Sequence, residues 1–172
     1  QKLDVGGSTI NVTLYPGALN VPWNDVRRWV EDAAWTVKGY LGRFPVKQVD
    51  LNIKTDACSG VHNGLTNCGK PPVIWVTLGR GTSRDDLRRD DVMTHEMVHL
   101  MLPNVDRGRQ GWVSEGLATY VEAAARLSAG KLHRNAFWLH LNRGLAGATG
   151  AAAEGGLDAT SGSKQAYWSG AL

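Results

Sequence analysis

His95-Glu96-Met97-Val98-His99 is the stretch on which the reading of this chain turns. It lies inside a predicted helix that Thr82 or Ser83 caps and that runs to about Leu102, where Pro103 stops it. Side chains four apart on a helix stand one above the other, about 5–6 Å apart at Cβ. Two imidazoles at that spacing converge on one zinc ion, at about 2.0–2.1 Å each. Glu96 is rotated about 100° from His95, so its carboxylate reaches water at the metal without being a ligand. This is the H-E-x-x-H pattern of a metal-assisted hydrolase. The charge run Arg84 to Asp91 that opens the helix reads as solvated first turns, with acids favourable to the helix dipole.

A catalytic zinc needs a third protein ligand and an open fourth position. The metzincin spacing requires a histidine six residues after the second, but position 105 is Val and position 102 is Leu rather than Gly. Asp106 is one carboxylate within range, set among Asp106-Arg107-Gly108-Arg109 as a loop acid would be. Glu115 is the better candidate, sixteen residues after His99. It falls on the next predicted helix, Trp112 to Ala129, which Gly130 closes. The loop Asn104 to Gln110 is short enough to fold the two helices against each other.

His-Glu-Met-Val-His followed by Trp112-Val113-Ser114-Glu115-Gly116-Leu117-Ala118-Thr119-Tyr120 resembles the gluzincin metallopeptidases. Within them it is most similar to relatives of the glycyl aminopeptidase and aminopeptidase N families, where a W-x-x-E-G-x-A-x-Y helix supplies the third ligand. The terminal Tyr167-Trp168-Ser169-Gly170-Ala171-Leu172 resembles their Y-x-x-G-A segment, whose tyrosine assists the oxyanion. The resemblance is specific over residues 90 to 122 and faint outside these two segments. It implies one zinc per chain held by His95, His99 and Glu115, with Glu96 as the catalytic carboxylate and Tyr167 as the oxyanion donor. It also implies a thermolysin-like, zincin-like α+β catalytic domain. Thermolysin-like relatives place an Asp one turn after the glutamate ligand. Here position 119 is Thr, and Glu122 or Asp91 stands as a substitute.

One departure concerns substrate. The aminopeptidases of this group carry a glutamate in a G-x-x-E-N or G-G-x-E-H loop that holds the free amine. Residues Ala57 to Arg84 contain no acid, and Gly60-Val61-His62-Asn63-Gly64 occupies the comparable place. The usual exopeptidase anchor is missing, which points to endopeptidase or oligopeptide preference unless an acid such as Asp56 substitutes. His62 in that loop and Trp75 on the strand Val73 to Leu78 are the candidate substrate contacts. That strand is expected to be the sheet edge on which an extended peptide pairs.

The rest of the chain sets the frame. Its 172 residues, 42% hydrophobic and 20% charged with net charge +3, describe one domain able to bury a core and exclude a disordered chain. No uninterrupted apolar run approaches a membrane span. The charges are interspersed, so nothing points to nucleic acid. Seven tryptophans against two phenylalanines read as core. Strands are expected over Ser8 to Tyr15, Val49 to Ile53 and Val73 to Leu78, with a helix from Pro22 to Leu41 that Asn20 caps and Gly42 ends. Asp56 to Pro72 reads as a Gly/Asn-rich loop, Asn135 to Leu145 as a short helix, and Ala146 to Ser163 as a Gly/Ala loop. The expected architecture is α+β: a small twisted sheet packed on the zinc helix and the helices after it. The strand/helix part covers 1–81 and the helical part 82–172, and the apolar end reads as a chain cut before another helix.

Cys58 and Cys68, ten apart, either close a small disulfide or stay reduced. That pair and the start at Gln1 suggest a periplasmic or secreted product, with a cytoplasmic one as the alternative. The expected activity is that of a zinc metallopeptidase acting on a peptide or protein substrate. The rival is a catalytically inactive, gluzincin-like module that binds peptides or partners. The sequence leaves the oligomeric state open.

Overall fold

Alternating apolar residues build a mixed sheet in the first part of the chain. In the computed structural model, residues 1–103 and 105–142 are described. They give β1 (Lys2–Asp4), β2 (Thr9–Leu14), α1 (Trp23–Leu41), β3 (Gln48–Asp56), β4 (Val61–Asn67), β5 (Val73–Gly79), α2 (Arg84–Arg89), α3 (Val92–His99) and α4 (Arg107–Ser128), with 134–142 also helical. The chain forms two compact units, one over Gln1–Met101 and the other from Leu102 onward. None of the described helices is long and apolar enough to cross a membrane.

The first unit is α+β. Its sheet has the order β1-β2-β3-β5-β4. β2, β3 and β5 run parallel, and β1 and β4 are antiparallel strands on the two edges. Ile10 and Val12 of β2, Val49, Leu51 and Ile53 of β3, and Ile74, Val76 and Leu78 of β5 are all buried and share one face. Against this face α1 turns Val26, Trp29, Val30, Ala33, Ala34 and Val37, and α3 adds Met93 and Met97. Each fully buried Val, Leu or Ile stabilises this core by about 1.5–3 kcal/mol.

Several expectations are corrected here. The stretch expected as a loop contains β4, whose one buried residue is Thr66. It has no apolar alternation because it covers a helix carboxylate rather than a hydrocarbon core. β4, not β5, is therefore the edge, and β5 is enclosed between β3 and β4. The single helix expected from residue 83 to 102 is two, broken at Asp90, whose backbone is extended. Ser83 caps α2 through a capping box with Asp86. The N-cap of α1 is Pro22, with no side-chain bond from Asn20, and Gly42 ends it in the left-handed conformation at φ 77°. α4 begins at Arg107, earlier than expected, with a non-helical residue at Gln110.

Cys58 and Cys68 are both free and exposed. They sit beyond opposite ends of β4, whose seven residues span about 20 Å. A disulfide needs Cα atoms within about 7 Å, so this fold keeps them apart.

In the second unit α4 and the 134–142 helix share an apolar cluster of Ala123, Phe137 and Leu141, flanked by Ala124, Leu127 and Leu132. Gly130 has φ 70° and turns the chain between them. The segments expected as the end of the short helix (143–145) and the Gly/Ala loop (146–163), and Tyr167 with its terminal run, lie outside the described residues.

Candidate metal centre

α3 is buried on nearly every side, unlike a surface helix with one apolar stripe. Met93, Thr94, Glu96, Met97, Val98 and His99 are all buried, and His95 is half-buried. A helix so enclosed must have its first amides satisfied from within the fold. Asp90 does this. Its Oδ1 accepts from Val92 N at 3.1 Å, and its Oδ2 accepts from Met93 N at 3.0 Å. The same Oδ2 accepts from Trp29 Nε1 of α1 at 2.9 Å. Burial pushes the Asp90 carboxyl up to about 6, against the opposing pull of these hydrogen bonds.

The two histidines lie together at the C-terminal half of α3. Their Nε2 atoms are 3.1 Å apart, and the rings meet edge to face with centroids 4.8 Å apart. Two nitrogens bound tetrahedrally to one zinc at 2.0–2.1 Å lie about 3.3 Å apart. The pair therefore fits a shared metal ion.

Glu96, about 100° around the helix from His95, reaches toward β4. The Thr66 hydroxyl is 2.6 Å from Glu96 Oε2 and 2.9 Å from the Glu96 main-chain oxygen. Opposite the same carboxylate stands Gly64, where a Cβ would overlap Glu96 Oε1, Cγ and Cδ. A glycine and a threonine two apart on one strand thus make a seat for this carboxylate. Cys68 Sγ, just past β4, is 3.8 Å from the His99 carbonyl oxygen.

The remaining sequence-derived candidates fall elsewhere. β4 carries a bulge between His62 and Gly64, with Asn63 at φ 53°. Gly64 and Thr66 pair with Val76 and Ile74 and share their core-facing side. His62 pairs with Thr77 and faces the other side, where its Nε2 is 3.1 Å from Asp56 Oδ2. Trp75 also faces that side. Its ring centroid is 5.6 Å from that of Tyr15, and Lys54 Nζ lies 4.3 Å from it. Neither His62 nor Trp75 is brought to Glu96. In the second unit Glu115 is half-buried on α4, and Thr119, one turn later, is buried, its hydroxyl having no hydrogen-bond partner among the described residues. Glu122, buried on α4, pairs with Arg126 at 2.7 Å.

Thr66, Gly64 and Asp90 were not singled out from the sequence. For the first two a signal exists. The G-G-x-E-H pattern placed three residues further on reads Asn63-Gly64-Leu65-Thr66-Asn67, with threonine where the pattern has its glutamate.

No protein-family model matches the chain, and no curated protein matches it. Among solved structures, it is similar to an aminopeptidase N family protein from Idiomarina loihiensis, with TM-score 0.60 and 12% identity. That match covers 90% of this chain and 28% of the other. It is also similar to a two-domain M1 zinc metallopeptidase variant bound to L-arginine, with TM-score 0.53 and 18% identity over 100% of this chain and 37% of the other. The chain thus spans about a third of the length of these proteins. At such identities the likeness is one of fold: a mixed five-stranded sheet with helices, consistent with part of an M1 peptidase domain.

Proposed function

We propose that this chain is the catalytic part of a zinc-dependent peptidase. The observation that carries the reading is the division of labour on α3: two imidazole nitrogens 3.1 Å apart on one side, and a buried carboxylate seated by Thr66 on another. The likeness in fold to proteins described as zinc metallopeptidases supports it. His95 and His99 would hold zinc together with Glu115, in the thermolysin-like, zincin manner that the sequence suggests. When bound, the metal would polarise the scissile carbonyl and lower the pKa of water at the site. Glu96 takes the proton from the attacking water and returns it to the leaving amine. Thr66 and Gly64 hold the Glu96 carboxylate in place for both transfers. Tyr167 is proposed as a donor to the developing oxyanion, a contribution of about 3–4 kcal/mol for one good donor. The substrate would be an oligopeptide or protein, because no carboxylate stands at Thr66 to pair with a free amine.

Elemental analysis of protein purified without added metal or chelator tests this, alongside turnover of a peptide library. About one zinc per chain, lost in His99→Ala, with turnover lost in Glu96→Gln while the metal stays, is the expected result. Zinc held without turnover in the wild type would favour the binding-module reading. No uptake of zinc by the wild type would sink both the metal site and the hydrolase.

A further inference from the structure

Asp56, Cys58 and His62 bring a carboxylate oxygen, a thiol and an imidazole nitrogen within 4.8 Å of one another, all in the first unit. Asp56 ends β3, Cys58 lies in the turn that follows, and His62 is the second residue of β4. Asp56 and His62 face away from α3, so this group is separate from His95 and His99.

The spacing suits a coordination sphere. His62 Nε2 is 3.1 Å from Asp56 Oδ2 and 3.2 Å from Oδ1. Oxygen and nitrogen ligands of a tetrahedral zinc lie about 3.3 Å apart. The carboxylate is also oriented, since Cys58 N donates to Asp56 Oδ1 at 2.9 Å, the kind of outer contact that fixes a ligand's direction.

The turn that carries these groups is fastened to the chain after β5. Arg80 N donates to Asp56 O at 3.0 Å, Gly81 N to Cys58 O at 3.0 Å, and Gly79 N to Gly60 O at 2.9 Å. Gly60 N donates to the buried Thr82 hydroxyl at 3.0 Å. Gly79 permits this approach, since a Cβ there would overlap the Cys58 carbonyl. The three donors therefore stand on a fixed loop, which lowers the ordering cost of binding.

We propose that Asp56, Cys58 and His62 form a second metal site, distinct from the one on α3, for a borderline-soft divalent cation of the zinc class with water completing the sphere. A thiol with an imidazole selects that class over magnesium or calcium. On binding, the Cys58 S–H bond breaks, an S–metal bond forms, and the proton leaves to solvent; His62 binds as the neutral ring.

Cobalt(II) is the probe, titrated into the metal-free full chain. The His95–His99 site has no sulfur ligand in the reading above, so a thiolate-to-cobalt charge-transfer absorption reports this cluster alone, whatever becomes of the peptidase assignment. The expected result is a band saturating at one thiolate-bound cobalt per chain and retained in Cys68→Ser. It is absent in Cys58→Ser, and the affinity behind it falls at least tenfold in His62→Ala. Cys58 is exposed and serine nearly isosteric, so an unchanged far-ultraviolet circular dichroism spectrum is expected to accompany the loss. No thiolate band in the wild type, a band that survives Cys58→Ser, or an unchanged affinity in His62→Ala would overturn the proposal.

Discussion

The Thr66 hydroxyl lies within hydrogen-bond distance of both the side-chain Oε2 and the main-chain oxygen of Glu96, at 2.6 and 2.9 Å. A hydroxyl has one proton to donate, so the two acceptors share it. Both contacts draw Glu96 onto the same strand residue. The carboxylate is thereby fixed relative to its own backbone as well as to β4. In the proposed reaction, that restraint would keep the carboxylate at one distance from the His95–His99 pair.

Thr66→Val removes this hydroxyl at nearly constant volume. A hydrogen bond to a charged group contributes about 1.5–3 kcal/mol. If Glu96 is the proton carrier, kcat falls about 10- to 150-fold with KM little changed, and Thr66→Ser restores most of it. Steady-state peptide hydrolysis by the three proteins checks this. A Thr66→Val enzyme with wild-type kcat would remove Thr66 from the machinery.

Gly64→Ala places a methyl where the Glu96 carboxyl now sits. The side chain must swing away, because β4 is held by its pairing with β5. Zinc stoichiometry is expected to stay at the wild-type value while turnover drops by at least tenfold. Metal analysis and kinetics on the same sample separate the two effects. Loss of the metal together with activity would show instead that the strand itself had moved.

Asp90 makes stability depend on pH. Its carboxyl is raised from 3.8 to about 6 by burial, so between those values the folded chain holds a proton that the unfolded chain has released. Stability from this group is greatest below about pH 4 and declines as pH rises through 6, by at most about 3 kcal/mol. Urea unfolding at intervals from pH 4 to 7 is expected to show that decline in the wild type but not in Asp90→Asn. Parallel curves for the two proteins would contradict it.

On α4, Arg126 and Glu122 form a pair whose side chains are only 12% and 4% exposed. Losing either partner breaks this 2.7 Å charge-assisted bond. Arg126→Met is expected to cost about 1.5–3 kcal/mol, whereas the double change to Arg126→Met with Glu122→Leu costs less. Chemical denaturation of wild type, single and double variants supplies the comparison. A single variant as stable as wild type would mean that the pair is solvated.

What the sequence disclosed followed the strength of its periodic signals. α1, β2, β3 and β5 alternate or repeat cleanly, so their existence was legible to within a few residues. H-E-x-x-H was legible because the chemistry demands that spacing on any helix. β4 was hidden because its inward positions are Gly64 and Thr66, chosen to receive a carboxylate rather than to fill a core. The break at Asp90 was hidden in a charge run, where a carboxylate that caps an interior helix looks like its solvated neighbours. Its distinguishing partner, Trp29, is sixty-one residues away.

The bulge at Asn63 works as a change of phase within one strand. Residues 62, 64 and 66 have the spacing that in a regular strand would put all three on the same side. The extra residue reverses the parity between the first and the other two. One seven-residue strand thus faces two separate groups, offering Gly64 and Thr66 to the Glu96 carboxylate and the His62 imidazole to Asp56 on the opposite side. Deleting Asn63 would make His62 and Gly64 neighbours in a regular strand and leave them on opposite sides, so the two-sided arrangement outlasts the bulge itself.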